Sequence, residues 1–200
     1  MFGIWYDGRY NQPFGETGMH EVSLGGTIRD YLTGESRERT TYEDLRQALA
    51  RFLVKERGYD PKTLVPRLPV SYCIRGEVMQ READIACMLA NGKPGLLLVF
   101  CAGQVHTYLR EVLALARLAL PGPCPLAVVT DMREAELFSA KNGEVLSTGL
   151  SAIPAFGAME RLAAEHRLPP LAGEQREKES RILHTYTGFL KSCCGAVCKV

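Results

Sequence analysis

Residues 83–101 constrain the fold more than any other stretch of this chain. Ala83 to Leu89 is a strand-like run with one acid, Asp84, among apolar neighbours; Asn91-Gly92 follows, and Leu96 to Cys101 is apolar throughout. Asn-Gly between two β-type runs is a hairpin signal, because a tight strand-to-strand turn needs backbone angles that these two residues tolerate. A strand with no polar face has no side to offer to water, so it belongs in the middle of a sheet covered on both faces. Such a strand needs helices above and below it, and the flanking sequence supplies them.

Upstream, Thr40 and Glu43 have the T-x-x-E spacing of a capping box. Leu45, Ala48, Leu49, Phe52 and Leu53 then recur at helical intervals as one buried face, which puts Arg46, Arg51 and Lys55 on the exposed side. Gly58 is the expected C-terminal cap. Met19 to Leu24 reads as a short strand, residues 28–35 as an ordered loop turning at Gly34, and Leu68 to Ile74 as a further strand. Downstream, the spacing predicts a helix over 105–120 with Leu109, Val112, Leu113, Ala116 and Leu120 inward, stopped by Pro121-Gly122-Pro123. Leu126 to Thr130 is the next strand, which makes strand, helix and strand a parallel βαβ crossover. Residues 136–140 and 144–147 flank Lys141-Asn142-Gly143 as a second hairpin, and two helices are expected over 154–167 and 174–191. The fold class is therefore α/β (α+β): a mixed central sheet flanked by helices. The chain divides into an N-terminal segment 1–27, a domain 28–150 and a C-terminal helical extension 151–200.

Composition weighs against several functions. A net charge of +1 gives no broad basic field for non-specific nucleic-acid binding. No apolar run approaches the roughly 18 residues of a membrane span. The first residues lack the basic-then-apolar order of a signal peptide, and seven cysteines, an odd number, suit reduced thiols in a cytoplasm. Cys73, Cys87 and Cys101 sit in apolar strand-like runs and read as small buried hydrophobes. Cys193, Cys194 and Cys198, with His184 as a fourth candidate, fit the paired spacings of a structural zinc site poorly. No Gly-x-Ser-x-Gly elbow, P-loop or dinucleotide fingerprint is present.

The order helix, strand, hairpin, crossover helix, strand (αβββαβ) is that of the restriction-endonuclease-like core. Thr41 to Tyr59 resembles the first helix of the N-terminal nuclease domain of type I restriction enzyme R subunits. Arg81 to Ala86, Gly92 to Pro94 and Leu96 to Val99 resemble that family's hairpin, and Leu126 to Thr130 its next strand. Asp30 to Gly34 shares the likeness, which covers about residues 28–150. The resemblance implies DNA cleavage through a PD-(D/E)xK site, with an Asp on the first hairpin strand and Glu-x-Lys on the second. Mg²⁺ needs hard oxygen ligands, and the lysine orients water and offsets charge on the phosphate. Two residues apart on a strand, Glu and Lys point to one face.

Carried onto this chain, the first acid is Asp84, but the Glu position is Phe100 and the Lys position is Ala102. A helix Gln followed four residues on by Tyr in some relatives corresponds to Glu111 and Leu115 here, and a Thr-Asn-Gly to Thr130-Asp131-Met132. The resulting expectation is a degenerate nuclease site with Asp84 as its remnant, in a module that binds DNA or a protein. An active Mg²⁺-dependent endonuclease stays open as an alternative, with Asp84 as metal ligand and Glu43, Glu77 or Glu111 as relocated acids. So does a structural or regulatory subunit that meets a protein partner through 151–200. No cofactor is expected beyond Mg²⁺ in the active case, no membrane partner is expected, and the oligomeric state is left open.

Overall fold

A computed structural model describes residues 22–101 and 104–196, with side chains placed as far as Thr187. Eight strands and four helices follow in order: β1 (Ser23–Arg29), β2 (Ser36–Thr40), α1 (Thr41–Arg57), β3 (Leu64–Ile74), β4 (Glu77–Met88), β5 (Pro94–Phe100), α2 (Leu109–Leu118), β6 (Leu126–Thr130), β7 (Ala135–Ser139), β8 (Val145–Thr148), α3 (Phe156–Glu165) and α4 (Gly173–Ala196). Strands β3 to β8 form one mixed sheet in sequence order, antiparallel except where β5 pairs parallel with β6 across α2. This is the αβββαβ order that the sequence predicts, inside a restriction-endonuclease-like fold.

The central strand bears out its reading. Every residue of β5 is buried. Leu96, Leu98 and Phe100 face Leu49 and Leu53 of α1 and Met159 and Ala163 of α3. Leu97 and Val99 face Val112, Leu115 and Ala116 of α2 and Leu183 of α4. The period of two sends alternate side chains into two separate cores. At Gly95 a methyl group would come within 2.8 Å of Met159 Sδ and Leu89 Cδ2, so a larger residue would push both side chains aside. The outer strand β3 carries Pro66 and Pro69, residues that suit an edge because they cannot donate to a further neighbour.

Other expectations shift. Residues 28–29 belong to β1, which pairs antiparallel with β2 in a separate two-stranded ribbon, so only 30–35 is loop. Residues 19–21 of the first predicted strand lie outside the described residues. The downstream helix begins with a single tight turn over 105–108 and ends at Leu118, leaving Leu120 half exposed.

Helix α1 is capped as expected: Glu43 N–H donates to Thr40 Oγ1 at 3.0 Å, and Gly58 closes the far end at φ 72° with its N–H on the Leu53 carbonyl. The buried face, however, is rotated from the predicted one. Leu45 is exposed, and Glu43, Arg46, Gln47, Leu49, Ala50 and Leu53 point inward. Arg46, expected on the solvent side, is 4 % exposed. The first two turns of α1 thus bring charged groups into the interior, which requires partners there.

Candidate functional site

Those partners lie where β4 and β5 part. Their pairing begins at the hairpin turn and ends at Ile85↔Leu98. One residue further along β4, the Asp84 carboxylate takes over from the ladder: Oδ2 accepts from the Phe100 N–H at 2.8 Å. A backbone donor that the strand separation would orphan is thereby satisfied. Asp84 Oδ1 accepts from Arg46 Nη2 at 3.0 Å. Both oxygens of the predicted first acid are engaged.

Arg46 reaches in the opposite direction as well. Its Nη1 donates to Glu43 Oε2 at 2.5 Å, one helical turn earlier, so a single guanidinium bridges α1 and β4. Glu43 has no exposed surface and also accepts from Arg67 Nη2 at 2.6 Å and from Gln47 Nε2 at 2.7 Å. Arg67 achieves this from β3 with φ 52°, a left-handed conformation that a non-glycine residue rarely adopts within a strand. Its guanidinium lies 3.8 Å from Glu82 too.

Gln47 carries the network onward to Asp30 Oδ2 at 3.1 Å, while Asp30 Oδ1 accepts from the N–H groups of Leu32 and Thr33. Burial alone would raise the Asp30 carboxyl; the Thr33 N–H, the Gln47 amide and the Leu32 N–H outweigh it and hold the group below its ordinary range. The loop at 30–34 is therefore fastened to the same helix face that carries Glu43 and Arg46.

Phe100 lies on the side of β5 that α1 covers, is 1 % exposed, and meets the Tyr42 ring edge-on at 6.4 Å. The Tyr42 hydroxyl is pushed well above its usual range by burial first and by the Asp84 charge second. Ala102, the position two residues on, lies outside the described residues.

The auxiliary acids separate. Glu111, in the first turn of α2, is 2 % exposed and accepts from Arg81 Nε at 3.1 Å. Burial opposes the Arg81 charge, but Glu111 and then Asp84 outweigh it and hold the guanidinium above its ordinary range. Glu77 is exposed at the far end of β4, opposite Ile74. Seven residues of strand put it about 23 Å from Asp84 and, by the odd count, on the other face. Glu43 does come to Asp84, as a co-ligand of Arg46; Glu77 does not approach it.

As arranged, the donor set does not fit a hard divalent cation. Mg²⁺ takes oxygens at about 2.0–2.1 Å in octahedral geometry. Here each carboxylate oxygen of Glu43 and Asp84 already holds an N–H donor, and Phe100 brings none. Among the described residues, no three His, Cys, Asp or Glu side chains are grouped to hold a metal ion. The side chains of Cys193 and Cys194, and all of Cys198, lie outside the described residues. His184 instead meets the Tyr72 ring at 6.3 Å.

Sequence reasoning found Asp84 and Glu43 but not Arg46, Gln47, Arg67 or Asp30 as members of this network. The signal was present: Glu43, Arg46, Gln47 and Ala50 stand at i, i+3, i+4 and i+7, and that stripe runs on into Leu53.

Among known proteins, a crystal structure of the type IIG restriction endonuclease BpuSI aligns at 14% identity and a TM-score of 0.33, over 78% of this chain and 16% of that one. A likeness that low carries no weight for fold or function, and the chain spans about a sixth of that enzyme. No curated protein matches the chain. No helix among the described residues is long and apolar enough to cross a membrane. Residues 41–154, from the start of α1 to just before α3, match the family described as the type I restriction enzyme R protein N terminus (HSDR_N), and the chain belongs to that family.

Proposed function

We propose that this chain is a catalytically degenerate member of the family, which acts as a DNA- or protein-binding module and does not cut DNA. One observation carries the reading: the two Asp84 oxygens are held by the Arg46 guanidinium and the Phe100 N–H, on a strand that offers a phenyl ring where a metal-binding carboxylate is needed. Hydrolysis through a metal-activated water requires convergent acids and a charge-balancing group. Relocated acids do not supply them, because Glu43 and Glu111 are each committed to arginines.

Carboxylate partners on Arg39, Arg46, Arg67, Arg81, Arg110 and Arg117 also quench much of the positive field, which weighs toward a protein partner over DNA. The segment 151–200 is the proposed contact region. The free thiols of Cys73, Cys87, Cys101 and Cys124 suit a reducing cytoplasm.

The test is incubation with plasmid and with single-stranded DNA in Mg²⁺ or Mn²⁺. Intact DNA is the expected result; cleavage that disappears in Asp84→Ala would sink the reading. Salt-sensitive DNA retention without cutting assigns the binding role to DNA. No retention at low salt, together with a protein partner lost on reversing the charges of the exposed Arg161, Lys178 and Arg181, assigns it to a protein.

A further inference from the structure

We infer that the Arg46 guanidinium does here the electrostatic work that a divalent cation does in a metal-dependent nuclease: it is a tethered counter-ion that joins α1 to the β4–β5 fork and makes this corner assemble without metal. The inference rests on the degenerate reading above and concerns what replaced the metal.

Three features support it. The two acids that Arg46 bridges are 41 residues apart in sequence, one on the helix and one on the strand, and both accept from the same planar group. The bridge is buried: the Arg46 side chain is 5 % exposed, Glu43 0 % and Asp84 14 %. Without it, Glu43 and Asp84 would face one another in the interior with one positive partner fewer, an arrangement that a low-dielectric site resists. Of the other cations near these acids, Arg67 serves Glu43 and Glu82, and Arg81, which feels the Asp84 charge, donates to Glu111.

An arginine differs from an ion in one testable way. It cannot leave, and it sets its two acceptors against two different nitrogens, wider apart than one small ion touching both would allow. Removing it should uncover two carboxylates that can close on an added ion. Mn²⁺ and Ca²⁺ are the probes, because Ca²⁺ accepts irregular oxygen geometry.

The full chain and its variants are unfolded thermally in EDTA and in millimolar MnCl₂ or CaCl₂. The wild-type midpoint should not move between these conditions. Arg46→Ala should fall by about 10 °C in EDTA and regain several degrees with one of the ions, as expected when a ligand binds only the folded state. That gain should vanish in Arg46→Ala/Asp84→Asn. An ordinary structural arginine would give the loss without the ion response. A wild-type midpoint raised by Mn²⁺ and not raised in Asp84→Asn overturns the inference. So does an Arg46→Ala protein as stable as wild type, or one that both ions leave unchanged.

If Arg46→Ala does not fold, Arg46→Lys and Glu43→Gln/Arg46→Met/Asp84→Asn decide the matter. The first keeps a tethered cation and the second removes the acids with it, so both should fold and ignore Mn²⁺; failure of either to fold overturns the inference. Wild-type DNA cleavage would sink the degenerate reading. Intact DNA with an ion-insensitive Arg46→Ala would sink this inference alone.

Discussion

On each side of the sheet a carboxylate is gripped by two arginines, and the two grips differ in depth. On the α1 side, Glu43 has no exposed surface and holds Arg46 and Arg67, whose side chains are 5 % and 27 % exposed. On the α2 side, Glu179 of α4 holds Arg117 at 2.8 Å and Arg110 at 3.0 Å, with side chains 17 % and 35 % exposed. The chemistry is alike, and the recourse to water is not. A guanidinium near the surface that loses its partner can turn to solvent, as Arg67, Arg110 and Arg117 can, whereas Arg46 cannot. The deep cluster joins α1 to β3 and β4, and the shallow one fastens the last described helix to α2.

The largest effect should follow Glu43→Gln. The shape is kept, but the buried Arg46 then faces a neutral amide while Arg67 keeps Glu82 and some water; breaking the buried pair costs about 3–5 kcal/mol, or roughly 10 °C for a chain of this size. Urea and thermal unfolding measure it. Glu179→Gln should cost less, about 1–2 kcal/mol, because its arginines are partly solvated. In hydrogen exchange that variant should loosen α4 against α2 and leave α1 protected. If Glu179→Gln proves as costly as Glu43→Gln, depth is not what separates the two clusters.

The same contrast explains what could be read from the sequence. The core strand, the crossover and both hairpins were legible, because unbroken apolar runs and Asn-Gly turns act locally; Leu126–Thr130 is the strand as predicted, and β5 differs only at its ends. The face of α1 was not. Two stripes compete on that helix, and the apolar one containing Leu45, Ala48 and Phe52 looks better than the mixed one containing Glu43, Arg46 and Gln47. The mixed stripe turns inward because Asp84, Arg67 and Asp30, distant in sequence, satisfy its charges. Periodicity weighs residues by their own polarity and takes no account of partners 24 or 38 positions away. The match of Phe100 and Ala102 to the family's Glu-x-Lys positions could be read only through the family likeness, and the Arg46 bridge between Glu43 and Asp84 could not be read at all.

Asp30 sharpens the comparison from the rim of the deep cluster. Its carboxyl is held below the ordinary value of 3.8 by the Thr33 N–H, Gln47 and the Leu32 N–H, against burial. A carboxyl depressed in the folded state adds stability that is complete above its unfolded value, near pH 4, and drains away as the pH falls through the lower folded value. The wild-type midpoint should therefore drop on acidification below about pH 4, and Asp30→Asn should flatten part of that slope. A variant with an unaltered acid limb would show that Asp30 does not report on folding, and that the loop at 30–34 is held by its neighbours alone.

The smallest effect belongs to the pair at the mouth of α1. Arg39 grips Asp44 with two nitrogens at 2.9 and 3.0 Å, a better fork than either buried cluster shows. The hydrogen bonds to its partner raise the Arg39 guanidinium and lower the Asp44 carboxyl. Yet the Arg39 side chain is half exposed, and water and salt stand ready to replace whatever is removed. Arg39→Gln should leave the unfolding midpoint where it is, at low and at high ionic strength alike, since Asp44 stays in the first turn of α1 to favour the helix N-terminus. Geometry improves from Glu43 to Arg39 while burial declines. If Arg39→Gln destabilised the chain as much as Glu179→Gln, fork geometry and not depth would rank these ion pairs, and the cost assigned to Glu43 would need another cause.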